Sequence, residues 1–244
     1  MKIGIVSDVH GNAEAFQVVL NEIKDVDQIY CLGDIVGYGA DPEYCIERIN
    51  SMMIPTIKGN HEGALTGELD LRYFNVAARK AILWTRKHLQ DKYYNYLKNL
   101  KKKIVILKDI LGVHGSPRQP LWEYILNEQT AQDIFESFDF KIYFIGHSHI
   151  AGYFTFHRKN KLVHYYSASS EVEFKIKGNN SYIINCGSVG QPRDGNPKAS
   201  FAIFDTDSFS VRILRKSYPV EKAQEKIIKA GLPRFLSDRL SMGI

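Results

Sequence analysis

The sequence predicts an α/β fold whose chemistry sits at the carboxyl ends of its strands. Three observations lead there. Apolar runs alternate with helical patterns over the first sixty residues, the rhythm of two successive βαβ units and a parallel sheet. Four apolar runs of strand length, 3–6, 29–32, 110–113 and 142–145, are each followed within two residues by an Asp or a His. After residue 149 the texture changes to strand-like stretches separated by turn residues, so the second half is expected to be mostly antiparallel.

The elements follow in order. Residues 2–7 read as an extended strand, and 13–23 have helical spacing through Phe16, Val19, Leu20 and Ile23. A second strand is expected at 28–32. Asp41 followed by Pro42 reads as a cap and a proline at the first helical position, opening a helix to about Asn50. A third strand is expected at 53–58, and one or two helices over 75–100. Short strands at 104–107 and 111–114 form a hairpin around Lys108-Asp109. Asn127 is placed to cap a helix running to Phe138, and 141–146 is another strand. Strands at 152–157, 161–166, 171–175, 182–186, 200–205 and 211–216 follow. An amphipathic helix at 220–230 and a shorter basic one at 232–240 close the chain. With no repeat, linker or low-complexity segment, residues 1–244 are expected to form one domain.

Composition narrows the class. A chain of 244 residues with 44% hydrophobic and 24% charged residues has the balance of an ordinary globular protein. No apolar stretch approaches the roughly 20 residues needed to span a bilayer. The first strand is needed for the site and begins at residue 2, so no targeting segment is expected ahead of it, and the cytoplasm is the expected location. Three cysteines argue against a disulfide framework; Cys31 and Cys186 read as small buried hydrophobes. A net charge of +5 favours an anionic substrate but falls short of a nucleic-acid footprint. Oligomerisation is left open.

Five short patches carry the chemistry: Asp8-Val9-His10, Gly33-Asp34, Gly59-Asn60-His61, the single His114, and Gly146-His147-Ser148-His149. Asp8, His10, Asp34, Asn60, His114, His147 and His149 make a mixed set of carboxylate, amide oxygen and imidazole. Such donors suit Mn²⁺, Fe²⁺, Zn²⁺, Ni²⁺ or Co²⁺ better than Ca²⁺ or a thiolate site. Seven ligands are too many for one small ion and fit two that share a carboxylate. Along a strand, residues i and i+2 point the same way, so Asp8 with His10, and His147 with His149, are expected to project together. Gly33, Gly59 and Gly146 are expected to let the backbone turn sharply beside the ions.

The order and spacing of these patches resemble those of the calcineurin-like metallophosphoesterase superfamily. The resemblance implies a four-layer αββα sandwich, two mixed sheets packed together and flanked by helices. It implies that Asp8, His10 and His149 hold one ion, that Asn60, His114 and His147 hold a second, and that Asp34 bridges them. Two divalent ions are then expected, Mn²⁺ first, with Fe, Ni, Co or Zn as alternatives. His61 is implied to lie beside the substrate phosphate as general acid or charge stabiliser. In such a centre the ions neutralise the phosphoryl oxygens, and a bridging hydroxide attacks phosphorus directly.

The chain departs from the G-D-x-x-D-R-G pattern of the protein phosphatases: after Gly33-Asp34 it reads Ile35-Val36-Gly37-Tyr38-Gly39. The Asp that orients the catalytic His there is missing, so Glu62 or a backbone carbonyl is the candidate to orient His61. The length, the Gly37-Tyr38-Gly39 stretch and the loop at 187–195 resemble a small prokaryotic phosphodiesterase subfamily. The expected reaction is hydrolysis of a small phosphodiester or a dinucleoside polyphosphate. A nuclease on DNA or RNA, a phosphomonoesterase or protein phosphatase, and a non-enzymatic scaffold are the rival readings. Asn12, Tyr38, Arg118 and Arg193 are candidate substrate contacts, with helix capping as the rival role for Asn12. Tyr124 is a candidate to stack on a base.

Overall fold

Apolar residues alternate along the central strands, and that alternation dictates four layers. The computed structural model describes residues 1–244. One sheet contains, from edge to edge, β2 (Gln28–Cys31), β1 (Lys2–Val6), β10 (Ala199–Asp205), β11 (Ser210–Lys216) and β8 (Val172–Lys175). The other contains β3 (Lys103–Leu107), β4 (Ile110–Val113), β5 (Ile142–Ile145), β9 (Asn180–Asn185), β6 (Gly152–His157) and β7 (Leu162–Ser167). β1 runs parallel to β2, and β4, β5 and β9 run parallel to one another. The remaining pairs are antiparallel.

Between the sheets lie Ile3 and Ile5 of β1, Ile142 and Phe144 of β5, Tyr182 and Ile184 of β9, and Ala202 and Phe204 of β10. The alternate residues face outward. Phe201 and Ile203 of β10 pack under α1 (Ala13–Glu22), α2 (Pro42–Ser51), α7 (Val220–Lys229) and α8 (Arg234–Met242). Tyr143 and Ile145 pack against Ala131, Ile134 and Phe135 of α6 (Glu128–Ser137). Period-two alternation in a strand buried on both sides therefore yields helix, sheet, sheet, helix. Each fully buried Ile or Phe contributes about 1.5–3 kcal/mol.

Most expected elements are present, and the exceptions have physical causes. The run at 53–58 is not a strand. Thr56 and Ile57 make only isolated parallel bridges, to Cys31 and Lys101. Pro55 has no N–H to extend a ladder, and Met53 takes a left-handed φ of 50°. The following Gly59-Asn60-His61 patch opens a short helix, α3 (Asn60–Leu65), that the sequence pattern did not reveal. The stretch 75–100 is two helices, α4 (Val76–His88) and α5 (Asp91–Lys98). Asn127 caps α6 by accepting from the Thr130 N–H at 2.9 Å. Asp41 does not cap α2; its carboxylate instead accepts from Lys226 at 2.8 Å. All three cysteines are buried and free. No helix is long and apolar enough to cross a membrane.

Candidate metal centre

β1, β2, β4 and β5 all stop one to three residues before a candidate ligand, at the same end of the molecule. The loops past β1 and β2 are laced together. Asp8 N–H donates to the Gly33 carbonyl at 3.0 Å, and His10 N–H to the Asp34 carbonyl at 2.9 Å. Within the six-stranded sheet, Gly146 N–H donates to the His114 carbonyl at 3.0 Å, and across the sheets His147 N–H donates to Asp8 Oδ2 at 3.1 Å. The seven expected ligands are all buried.

They converge by a different backbone route from the one expected. Asp8, His10, Asp34, His147 and His149 have φ between 50° and 66°, so the alternation of an extended strand does not aim them. A left-handed turn costs a residue with a Cβ about 1–2 kcal/mol. Five such residues in one pocket is strain concentrated at a functional site. Glycine is required where these loops touch. A Cβ on Gly59 would lie 2.1 Å from Asp34 Oδ1, and one on Gly37, at φ +88°, 2.1 Å from His61 Nδ1.

Asp8, His10, Asp34 and His149 bring one ligand atom each to within 4.8 Å of the others. Asp34 Oδ2, 3.6 Å from His10 Nε2, is also 3.4 Å from His114 Nε2, which is 3.1 Å from Asn60 Oδ1. The His147 ring lies 4.9 Å from that of His114.

Backbone carbonyls assign the imidazole protons. His10 Nδ1 faces the Val36 carbonyl at 3.0 Å, His149 Nδ1 faces that of Gln191 at 2.6 Å, and His114 Nδ1 faces that of Leu32 at 2.9 Å. Each Nδ1 therefore donates, and in neutral His10 and His149 this leaves a lone pair on Nε2. His147 is reversed: Nε2 donates to the Trp122 carbonyl at 3.1 Å, leaving Nδ1 bare. His10 Nε2 and His149 Nε2 then confront each other at 3.1 Å with no proton between them. Asp8 Oδ1 beside them is buried with no hydrogen-bond partner. Two lone pairs and an orphaned carboxylate oxygen repel unless a cation sits among them, so the donor set fits a divalent metal.

The electrostatics agree. Burial, then neighbouring His61, holds His10 well below its ordinary value. Burial, then Arg193, lowers His149, and burial, then His114, pushes His147 down to about 3. Burial works to raise Asp8 and Asp34. The surrounding histidines together outweigh it, His149 with His114 at Asp8 and His114 with His61 and His10 at Asp34, and hold both carboxyls below their ordinary value. Neutral imidazoles and charged carboxylates are the forms that bind metal. His114 is the exception. Burial works to lower it, but Asp34 and Asp8 raise it to about 9, so in the metal-free chain a proton stands in for a cation there.

His61 lies on the first turn of α3, its backbone N–H donating to Asp34 Oδ1 at 2.9 Å. Its ring packs against His10, Tyr38 and Phe74, with centroids 4.7, 4.5 and 5.7 Å away. Burial pushes it down to about 4 against the pull of Asp34. Neither expected orienting group holds it, because Nδ1 has no hydrogen-bond partner. The Glu62 carboxylate instead accepts from the backbone N–H groups of Gly59 and Asp34 at 2.8 Å and of Val36 at 3.1 Å. Glu62 thus pins α3 to the Asp34 loop.

The other named residues divide. Tyr38 is buried among His10, His61 and His149, and the Arg193 guanidinium lies over its ring, 5.5 Å from the centroid. Asn12 takes the capping role: Oδ1 accepts from Ala15 N–H at 3.1 Å and Nδ2 donates to the Gly190 carbonyl at 2.9 Å. Arg118 is partly exposed and ion-paired with Glu123. Tyr124 stacks on His147 with centroids 3.9 Å apart. Sequence reasoning missed Trp122 and Gln191, which act through backbone carbonyls and so leave no side-chain signature. It also missed Arg239, discussed below.

Bare imidazole nitrogens closed around buried carboxylates, at strand ends of a two-sheet α/β sandwich, define a hydrolase of phosphoric esters built to hold divalent metal. The chain belongs to the calcineurin-like phosphoesterase superfamily, whose domain pattern matches residues 1–208. An uncharacterized protein of Methanocaldococcus jannaschii is 40% identical over 249 residues, covering 99% of this chain and 98% of its own length. The crystal structure of a metallophosphoesterase from Sphaerobacter thermophilus is 39% identical, with a TM-score of 0.88 over 100% of this chain and 99% of that one. A hypothetical protein from Pyrococcus horikoshii OT3 shares the fold at 19% identity, with a TM-score of 0.79 over 100% and 98% of the two chains.

Proposed function

We propose that the chain, acting as one domain, hydrolyses a small phosphodiester or a dinucleoside polyphosphate with two divalent ions, Mn²⁺ for preference. The observation that carries this reading is the confrontation of His10 Nε2 and His149 Nε2 at 3.1 Å beside Asp34. Asp34 Oδ2 lies 3.6 Å from His10 Nε2 and 3.4 Å from His114 Nε2. Asp8, His10, His149 and Asp34 would hold one ion; Asn60, His114, His147 and Asp34 would hold the other. Two such ions supply neutralisation of the phosphoryl oxygens and acidification of a water nucleophile.

The protein's own groups do the rest. With Nδ1 walled off by Gly37, His61 has Nε2 to offer the substrate. A proton held on Nε2 would pass to the leaving oxygen, and the water whose oxygen attacks phosphorus would give up the proton that restores it. Tyr38, stacked beside the histidines, is placed to steady the phosphoryl oxygens, and Arg193 over its ring is placed to meet the rest of the substrate.

The test is turnover of bis-p-nitrophenyl phosphate by the purified chain with Mn²⁺, Ni²⁺, Fe²⁺, Co²⁺ and Zn²⁺ in turn. A panel of nucleotides, cyclic nucleotides and dinucleoside polyphosphates follows. Metal-dependent hydrolysis abolished by chelation is expected. Failure to cleave any diester with any of these ions overturns the reading.

A further inference from the structure

Arg239 lies on α8, beyond the residues matched by the family pattern, yet it reaches the site through the loop at 191–196. Gly195 N–H in that loop donates to the Gly243 carbonyl at 2.9 Å, which docks the end of α8 on it. Arg193 Nη2 donates to Gln191 Oε1 at 2.9 Å, and Arg239 Nη1 donates to the same oxygen at 3.0 Å. One neutral amide thus holds two guanidinium groups together. The same Gln191 accepts His149 Nδ1 at its backbone carbonyl. The pair is tied directly to the candidate metal centre.

The side-chain partner of both guanidinium groups is the neutral Gln191 amide, and no Asp or Glu side chain pairs with either. Asp194, next to Arg193, is already bonded to Arg215 and to the Ala151 N–H. Arg193 Nε is buried with no partner. Burial and the charge of Arg193 push Arg239 down to about 10. The geometry is held ready. Arg239 stacks on Phe235, 5.1 Å from its ring centroid, and donates through Nε to an oxygen of the last residue, Ile244. Arg193 lies over Tyr38. Each guanidinium carries five N–H donors, most of them without a protein acceptor here.

We propose that Arg193 and Arg239 form a second anion subsite beside the metal centre, holding a phosphoryl group other than the one cleaved. Guanidinium forks match phosphate oxygens two at a time, and two forks suit a chain of phosphates. The substrate then carries consecutive phosphoryl groups, which selects the dinucleoside polyphosphate class over the simple diester. This rests on the phosphoesterase reading above and deepens it.

The test is calorimetric titration of the full-length, metal-free chain with inorganic tripolyphosphate, beside Arg239→Gln. A weakening of tenfold or more is expected, with a threefold or smaller change for orthophosphate. No binding by the unaltered chain, a smaller weakening, or an equal loss for orthophosphate overturns the subsite. If Arg239→Gln melts early, Arg193→Gln is read by the same tripolyphosphate criterion. In a second arm, the Mn²⁺-loaded chain hydrolyses diadenosine tetraphosphate and bis-p-nitrophenyl phosphate. The ratio of their kcat/KM values is expected to fall at least tenfold in Arg239→Gln, and a smaller fall counts against the subsite. If neither substrate is cleaved, the proposed function fails, while the calorimetry still decides the subsite.

Discussion

The floor of the site and its rim are held by different kinds of bond. On the floor, His10, His114, His147 and His149 each tie their far nitrogen to a backbone carbonyl, of Val36, Leu32, Trp122 and Gln191. Their loops are laced by main-chain hydrogen bonds and aimed by left-handed turns. On the rim, Arg193 and Arg239 share the Gln191 side-chain amide, Arg239 also donating to a main-chain oxygen of Ile244, and further along the loop after His114 Arg118 pairs with Glu123. Backbone partners cannot rotate away, so the floor keeps a fixed geometry for chemistry. Side-chain partners can be exchanged for substrate, which is what recognition requires.

That contrast can be broken by substitution. The largest effect is expected from Asp34→Asn, which removes the charge facing His10 and His114 together. Metal content, measured by elemental analysis, should collapse and diester turnover should fall to background. A variant that keeps two ions per chain would show that the floor does not depend on a shared carboxylate. His61→Ala should retain both ions and slow turnover by about a hundredfold or more, the range for losing a general acid. An unchanged rate would remove His61 from the chemistry.

Gly37→Ala tests the fixed floor through sterics alone. Its Cβ would meet His61 Nδ1 at 2.1 Å, in a backbone conformation an L residue resists. A cost of about 1–3 kcal/mol is expected, read as a lower melting temperature, together with slower turnover as His61 shifts. Asn12→Ala should cost about 1 kcal/mol by loss of the α1 cap and leave metal content intact. A loss of metal there would extend the floor to that helix start. Smallest of all, Arg118→Ala should leave the melting temperature unchanged, because its pair with Glu123 is exposed and screened. A measurable drop would make the rim more than adjustable side chains.

The individual patches were legible because ligand chemistry restricts residue type so tightly. Asp8, His10 and Asp34 stand just past apolar runs, and no packing role explains Asp, His and Asn in that order. Of the parallel sheet expected over the first sixty residues, the β1–β2 pair was legible for the same reason, since apolar runs between helical patterns have few other uses. The run at 53–58 misled because Met53, Ile54, Thr56 and Ile57 outweighed Pro55 in the pattern. The short helix α3 was invisible because Gly, Asn and His are poor helix formers, and Glu62 secures it only by reaching the Asp34 loop.

What the sequence by itself determined was the inventory: which residues could bind metal, which segments were strands, and the rhythm of the two halves. What only the tertiary structure decided was aim and company. Which of β6 to β11 joined which sheet, which nitrogen of each histidine faced inward, and how Arg239 came to share Gln191 with Arg193 depend on groups far apart along the chain. Residue type is local information. A carbonyl that fixes a tautomer, or an amide that gathers two arginines, takes effect only after the backbone has closed.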